Sequence, residues 1–126
     1  MWKIREATLE DAPVVASLIT SLGYETTEEE MRIRMHDISA SQGYVSLVAT
    51  DQQRVVGFLG LAFGLYYERT GSYARIVALA VAPDVQGEGV GSSLVRAAEE
   101  VARSRKALAS RTTGVSLALP DNERVR

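Results

Sequence analysis

Gln86-Gly87-Glu88-Gly89-Val90-Gly91-Ser92-Ser93 is the stretch on which the reading of this chain turns. It lies between two segments of different period. Before it, Ile76-Val77-Ala78-Leu79-Ala80-Val81 is continuously apolar, which predicts a central β-strand covered on both faces. After it, Leu94, Val95, Ala98, Val101 and Ala102 recur at helical spacing, with Arg103, Arg105 and Lys106 toward the C-terminal end where cations suit the helix dipole. Glycines in such a turn let successive backbone N–H groups face one point, because no side chain blocks the approach. The helix N-terminus adds partial positive charge there, and the two together suit a phosphate or pyrophosphate. A glycine-rich turn can also be no more than a tight connection, but three alternating glycines cost entropy to order unless close backbone approach is needed.

Two familiar phosphate loops do not fit. A Walker A loop needs Lys after its last glycine, and Gly91 is followed by Ser92. A dinucleotide fold carries its glycines after the first strand, and here too little chain follows residue 91 to build the rest of that fold.

Outward from the loop, the chain reads as one domain over residues 1–126. Trp2-Lys3-Ile4-Arg5 alternates as a strand does. Thr8-Leu9-Glu10-Asp11 offers a helix cap; Val14, Val15, Leu18, Ile19 and Leu22 follow at helical spacing, and Gly23 can end that helix. Thr27-Glu28-Glu29-Glu30 is a capping box for a second helix striped by Met31, Met35 and Ile38. Strands are predicted over residues 44–50, 54–65 and 73–81, with turns at Asp51-Gln52-Gln53 and Glu68-Arg69-Thr70-Gly71. Val115-Ser116-Leu117-Ala118-Leu119 reads as a last strand. The order β, α, α, β, β, β, α, β predicts an α/β fold. Its mixed sheet is an antiparallel meander plus one parallel crossover, with helices on both faces.

Composition narrows the function. The 126 residues contain no Cys and one His, which excludes a disulfide scaffold, a Cys nucleophile and a His-rich metal site, and no metal is expected. A formal net charge of −2 argues against a dedicated nucleic-acid binder. The N-terminal residues carry no apolar targeting segment, and the most apolar stretch, residues 55–67, is broken by Gly57, Gly60 and Gly64. A cytoplasmic protein with no membrane partner is the expectation.

Gln86, Gly89 and Gly91 fill the acyl-CoA loop pattern of the GNAT superfamily of N-acetyltransferases: Gln or Arg, two residues, Gly, one residue, Gly or Ala. The chain resembles that family along its whole length, in Ile4-Arg5-Glu6-Ala7-Thr8 with Asp11-Ala12, in Val55-Val56-Gly57 and in the element order. The resemblance implies a GNAT-like fold with acetyl-CoA as co-substrate. The pyrophosphate would rest on the amides of Gln86, Gly87, Glu88, Gly89, Val90 and Gly91, with Ser92 nearby and the Glu88 carboxylate turned to solvent. The pantetheine arm would run along the third meander strand at Leu79, Ala80 and Val81, and Asn122 would contact it. A backbone N–H of the same strand would stabilise the oxyanion during acetyl transfer. A bulky residue at Gly89 is expected to abolish binding and leave the fold intact.

The implied reaction is direct transfer of acetyl to a primary amine of a small molecule or peptide. An alkyl amine near pKa 10.4 is only about one part in 10³ to 10⁴ neutral at pH 7, so the amine must be helped to its nucleophilic form. Some relatives use a Glu on the third meander strand; Arg75 stands there, and Arg is no base. The catalytic residues stay unassigned. Glu68, Tyr66 and Tyr67 at the hairpin, and Tyr24, Glu25 and Glu28 between the helices, read first as solvated loop residues, and His36 as a helix-end residue. The family continues past the last strand with a helix bearing a Phe-Tyr pair, and the sequence reaches only Arg126. A chain short of that helix would leave an edge open to pairing, which suggests a homodimer. The alternative reading is a catalytically silent acyl-CoA-binding or regulatory domain.

Overall fold

Alternating apolar residues build the sheet, and short turns fix its register. The computed structural model describes residues 2–109. They form β1 (Lys3–Glu6), a 3-10 turn (Leu9–Asp11), α1 (Ala12–Ser21), α2 (Glu28–Ser39), β2 (Tyr44–Asp51), β3 (Arg54–Leu65), β4 (Ser72–Val81), a second 3-10 turn (Pro83–Val85) and α3 (Val90–Ala109). The four strands pair antiparallel in the order β1-β2-β3-β4. Gln52 and Gln53 make the β2–β3 turn, both with positive φ (52° and 78°), the backbone that a two-residue hairpin demands.

The helix ends follow the sequence. Thr27 accepts from the Glu30 N–H at 3.1 Å, while Glu30 accepts from the Thr27 N–H at 2.9 Å, which closes the capping box. Gly23, with φ 107°, ends the α1 segment and donates its N–H to the Thr20 carbonyl. At the other end, Arg5 of β1 grips Asp11 with two hydrogen bonds of 2.9 Å. Asp11 also accepts from the Thr8 N–H at 2.8 Å, so one nearly buried carboxylate ties β1 to the start of α1.

β3 is the centre of the core. Val56, Leu59 and Leu61 are fully buried and Val55 and Phe58 nearly so, which requires cover on both faces. Gly57, Leu59 and Leu61 share the face met by α3, whose buried stripe is Val90, Leu94, Ala98 and Ala102. α1 packs against β3 and β4 and against α2, and supplies Ala12, Val15, Ala16 and Leu18 to the core.

β4 departs from the expectation of a strand covered on both faces. Among the described residues it is a sheet edge, paired to β3 alone. Arg75 is exposed and Val77 is 40% exposed. The cause is a β-bulge: Gly60 pairs with Ala78 and Leu61 with Ile76, which leaves Val77 without a partner. Val77 and Ala78 consequently lie over the same glycine, Gly60, while Ile76 and Leu79 keep to the α3 face. The predicted last strand at residues 115–119, and with it the parallel crossover, lies outside the described residues.

Candidate functional site

The loop after β4 is shaped by its glycines. Val81 ends the strand, Pro83–Val85 makes one 3-10 turn, and Glu88 donates its N–H to the Val85 carbonyl at 3.3 Å. Gly87 and Gly89 take φ of 86° and 96°, values that side-chain-bearing residues avoid. The Ser93 N–H donates to the Gly89 carbonyl at 3.0 Å, so Gly89 caps α3. The amides of Val90, Gly91 and Ser92 fall in the first helical turn and have no intrahelical acceptor. Val90 and Gly91 thus belong to the helix, not to the loop that the glycine spacing suggested.

These residues line a cleft of about 580 Å³ with Leu22, Val81, Gln86, Gly87, Gly89 and Ser92. Leu22, the C-cap residue of α1, is the member that the sequence did not reveal. Its place depends on how α1 packs against β4, and no local pattern encodes that. The Val90 side chain is buried away from the cleft, toward Gly57, so Val90 offers only its backbone. A β-carbon at Gly91 would meet only Val81 Cγ2, at 3.8 Å. Glu88 is exposed and does not line the cleft, in line with its expected turn to solvent.

The strand beside the cleft has a fixed polarity. The Ala82 N–H donates to the Val56 carbonyl at 2.8 Å, which makes Gly57 and Val81 a non-hydrogen-bonded pair. By alternation the backbone groups of Ala80 point to Phe58 on β3, and those of Leu79 and Val81 point away from β3, to the outer edge. Leu79 and Val81 therefore point toward a side of β4 that no described strand occupies, open to an added strand-like partner, whereas Ala80 is engaged within the sheet and its side chain is buried. The Val81 carbonyl accepts from Gln86 Nε2 at 3.2 Å, a bond that folds the loop back onto the strand end. A second tie is the ion pair between Arg54 and Asp84 at 2.8 Å, which joins the 3-10 turn to the start of β3 and holds the Asp84 carboxyl below the usual carboxylate range.

The remaining candidates do not gather here. His36 is exposed on α2 beside Asp37, Tyr24 and Tyr67 are exposed, and Tyr66 stacks at the hairpin with Tyr73 and Arg69. None of the described residues that line the cleft is ionisable. Asn122 lies outside the described residues. No group of His, Asp and Glu among the described residues is arranged to hold a metal ion, and no helix among them is long and apolar enough to cross a membrane.

The site is thus a loop of glycines at the mouth of an amphipathic helix, beside a strand edge that faces outward among the described residues of an α/β domain. The Acetyltransferase (GNAT) family profile matches residues 4–122, and the chain belongs to that family. Its fold is similar to that of a GNAT family acetyltransferase from Staphylococcus aureus, at 22% identity over 95% of this chain and 86% of that one, with a TM-score of 0.81. It is similar to a ribosomal-protein-alanine N-acetyltransferase from Brucella melitensis, at 17% identity over 100% of this chain and 88% of the other, with a TM-score of 0.74. It is also similar to a glucosamine-6-phosphate N-acetyltransferase from Arabidopsis thaliana, at 20% identity over 99% and 86% of the two chains, with a TM-score of 0.71. No functionally curated protein matches the chain.

Proposed function

We propose that this protein is a cytoplasmic N-acetyltransferase that moves an acetyl group from acetyl-CoA to the primary amine of a small molecule or peptide. The observation that carries the reading is the meeting, in one cleft, of the amides of Val90, Gly91 and Ser92, which have no backbone partner among the described residues, with the end of β4 at Val81, whose outward edge continues back to Leu79. The amides and the α3 dipole suit a diphosphate, and the bare face of Gly91 lets it approach the backbone. The edge of β4 suits an amide-bearing arm laid beside it as an extra strand would be. Acetyl-CoA presents both groups and supplies the activated acetyl. Gln86 holds the loop against the strand end, and Leu22 closes the cleft from α1. Named relatives of the fold act on a peptide amine and on an amino sugar phosphate, the two acceptor classes considered.

One observation favours the second reading, a domain that binds acyl-CoA without turning it over: the described lining of the cleft contains no acid or base. Calorimetry with CoA tests the binding that both readings share; no heat and no shift of the melting curve would dismiss both. Thiol release from acetyl-CoA with a panel of amines then separates them. Release above the hydrolysis background is expected for the enzyme, and none for the silent domain.

A further inference from the structure

β4 carries a second feature, on the face turned away from α3. Ala74 and Ile76 are buried, so Tyr73, Arg75 and Val77 point to the opposite face. That face is kept low by glycines of β3. The Tyr73 ring lies across Gly64, where its Cζ and hydroxyl would be 2.5 Å from a β-carbon, and Val77 Cγ2 lies over Gly60 at 3.5 Å. Tyr73 packs on Tyr66 with ring centroids 5.3 Å apart, and the Arg69 guanidinium covers Tyr66 at 4.1 Å. The result is an aromatic shelf covered by one guanidinium, that of Arg69, with Arg75 next along the same face of β4. Arg75 has neither an ion pair nor a hydrogen bond among the described residues, and it is exposed. The one carboxylate in the hairpin, Glu68, is exposed and makes no ion pair with either arginine among the described residues.

The shelf continues the same strand whose edge borders the cleft. Arg75 is four residues from Leu79, about 13 Å along an extended strand. A carrier anchored by its diphosphate at α3 and running along β4 from Val81 toward Val77 delivers its acyl end to this half of the strand. A guanidinium with no partner among the described residues repels an ammonium ion there and pairs with an oxyanion in a forked geometry. We infer that Arg75 selects an acceptor amine that also carries an oxyanion, a carboxylate or a phosphate, and holds it by that group while the Tyr73 shelf supports its body.

This inference rests on the acetyl-CoA reading, and the experiment keeps the two apart. The full chain is assayed for thiol release with matched acceptors: phenylalanine against phenylalaninamide, lysine against lysinamide, and phosphoethanolamine against ethanolamine. At least one oxyanion-bearing member is expected to exceed its neutral match by tenfold or more in kcat/KM, and the pair that does so tells carboxylate from phosphate. In Arg75→Gln the preference is expected to vanish through a rise in acceptor KM, with CoA affinity by calorimetry unchanged, and Arg75→Lys is expected to restore part of it. Equal use of each pair, or a preference that survives Arg75→Gln, overturns the inference. If no amine is turned over, N-acetylphenylalanine, Nε-acetyllysine and N-acetylphosphoethanolamine are titrated into the CoA-saturated protein. Arg75-dependent binding of any one of them upholds the inference, and its absence overturns it. A failure to bind CoA overturns the acetyl-CoA reading itself.

Discussion

Val90 occupies the space that a β-carbon on Gly57 would need: such a carbon would stand 2.8 Å from Val90 Cγ1 and 3.0 Å from Leu94 Cδ1. Gly57 lies in the middle of the most buried strand, and Val90 is the first residue of α3. The missing side chain on β3 therefore sets how closely the helix mouth, whose first amides have no intrahelical acceptor, approaches the sheet. Gly57→Ala is expected to push α3 outward and to cost roughly 1–3 kcal/mol, the usual range for overpacking a core. A lowered melting temperature is the first readout. The second is CoA affinity measured well below that temperature, where loss in the folded protein reports displacement of the amides.

The cleft offers a cleaner place to block than the sequence suggested. Gly89 is the residue whose substitution was expected to leave the fold intact, but its φ of 96° strains any side-chain-bearing residue, by about 1–2 kcal/mol. Gly91 has ordinary helical backbone and meets only one methyl group, at 3.8 Å. Gly91→Ala should keep or slightly raise stability, since Ala is favoured over Gly in a helix by up to about 1 kcal/mol. Gly91→Phe should fold and lose CoA binding by tenfold or more in calorimetry, because its ring enters the space before the amides. Wild-type affinity in a folded Gly91→Phe variant counts against the cleft as the diphosphate site.

The pair Arg5–Asp11 makes a pH-dependent contribution to stability. Hydrogen bonds from Arg5 are the main cause that holds the Asp11 carboxyl below its ordinary value of 3.8; burial opposes the shift and the Thr8 N–H reinforces it. A folded-state pKa below the unfolded one means that the contribution is full above pH 3.8 and fades as pH falls through the lower, folded value. Asp11→Asn should cost roughly 1.5–3 kcal/mol near neutrality, the range for hydrogen bonds to charged groups. In urea unfolding, the difference between wild type and variant should shrink once the pH passes below that folded-state pKa. A difference that stays constant from pH 7 to pH 2 would remove the carboxylate's charge from the explanation.

Much of this architecture is legible because its signals are local. The Thr27–Glu30 box, the positive φ at Gly23 and the bounds of β3 each follow from a few adjacent residues. The loop is legible for the same reason, since glycine spacing reports backbone freedom directly. What escapes the sequence are relations between distant segments. The bulge at Val77 shifts the phase of β4 by one residue, and a continuously apolar run hides such a shift, because every residue in it suits either face. Leu22 reaches the cleft only through the packing of α1, and Gly57 reads as one of several strand glycines until Val90 is seen above it. Ala80 shows the limit within the site: strand alternation separates it from Leu79 and Val81, but the pairing partner that decides which of them faces outward is on β3.

Gln86 tests whether the loop must be held in place to work. Its Nε2 donates to the Val81 carbonyl at 3.2 Å, and both residues line the cleft. The carbonyl points to the outer edge of β4 and has a second lone pair, so Gln86 and an added arm can share it. Gln86→Ala removes the tie and leaves the glycines free to sample other turns, so ordering the amides becomes part of the cost of binding. A single exposed hydrogen bond is worth about 0.5–1.5 kcal/mol net, which corresponds to a roughly two- to tenfold loss of CoA affinity. The melting temperature without ligand should barely move, since the side chain is exposed and contributes nothing to the core. Gln86→Glu, which replaces the donor with a second acceptor and adds negative charge beside the proposed diphosphate, should lose more than Gln86→Ala. Equal affinities for the two variants and wild type would show that the glycine backbone alone holds the site.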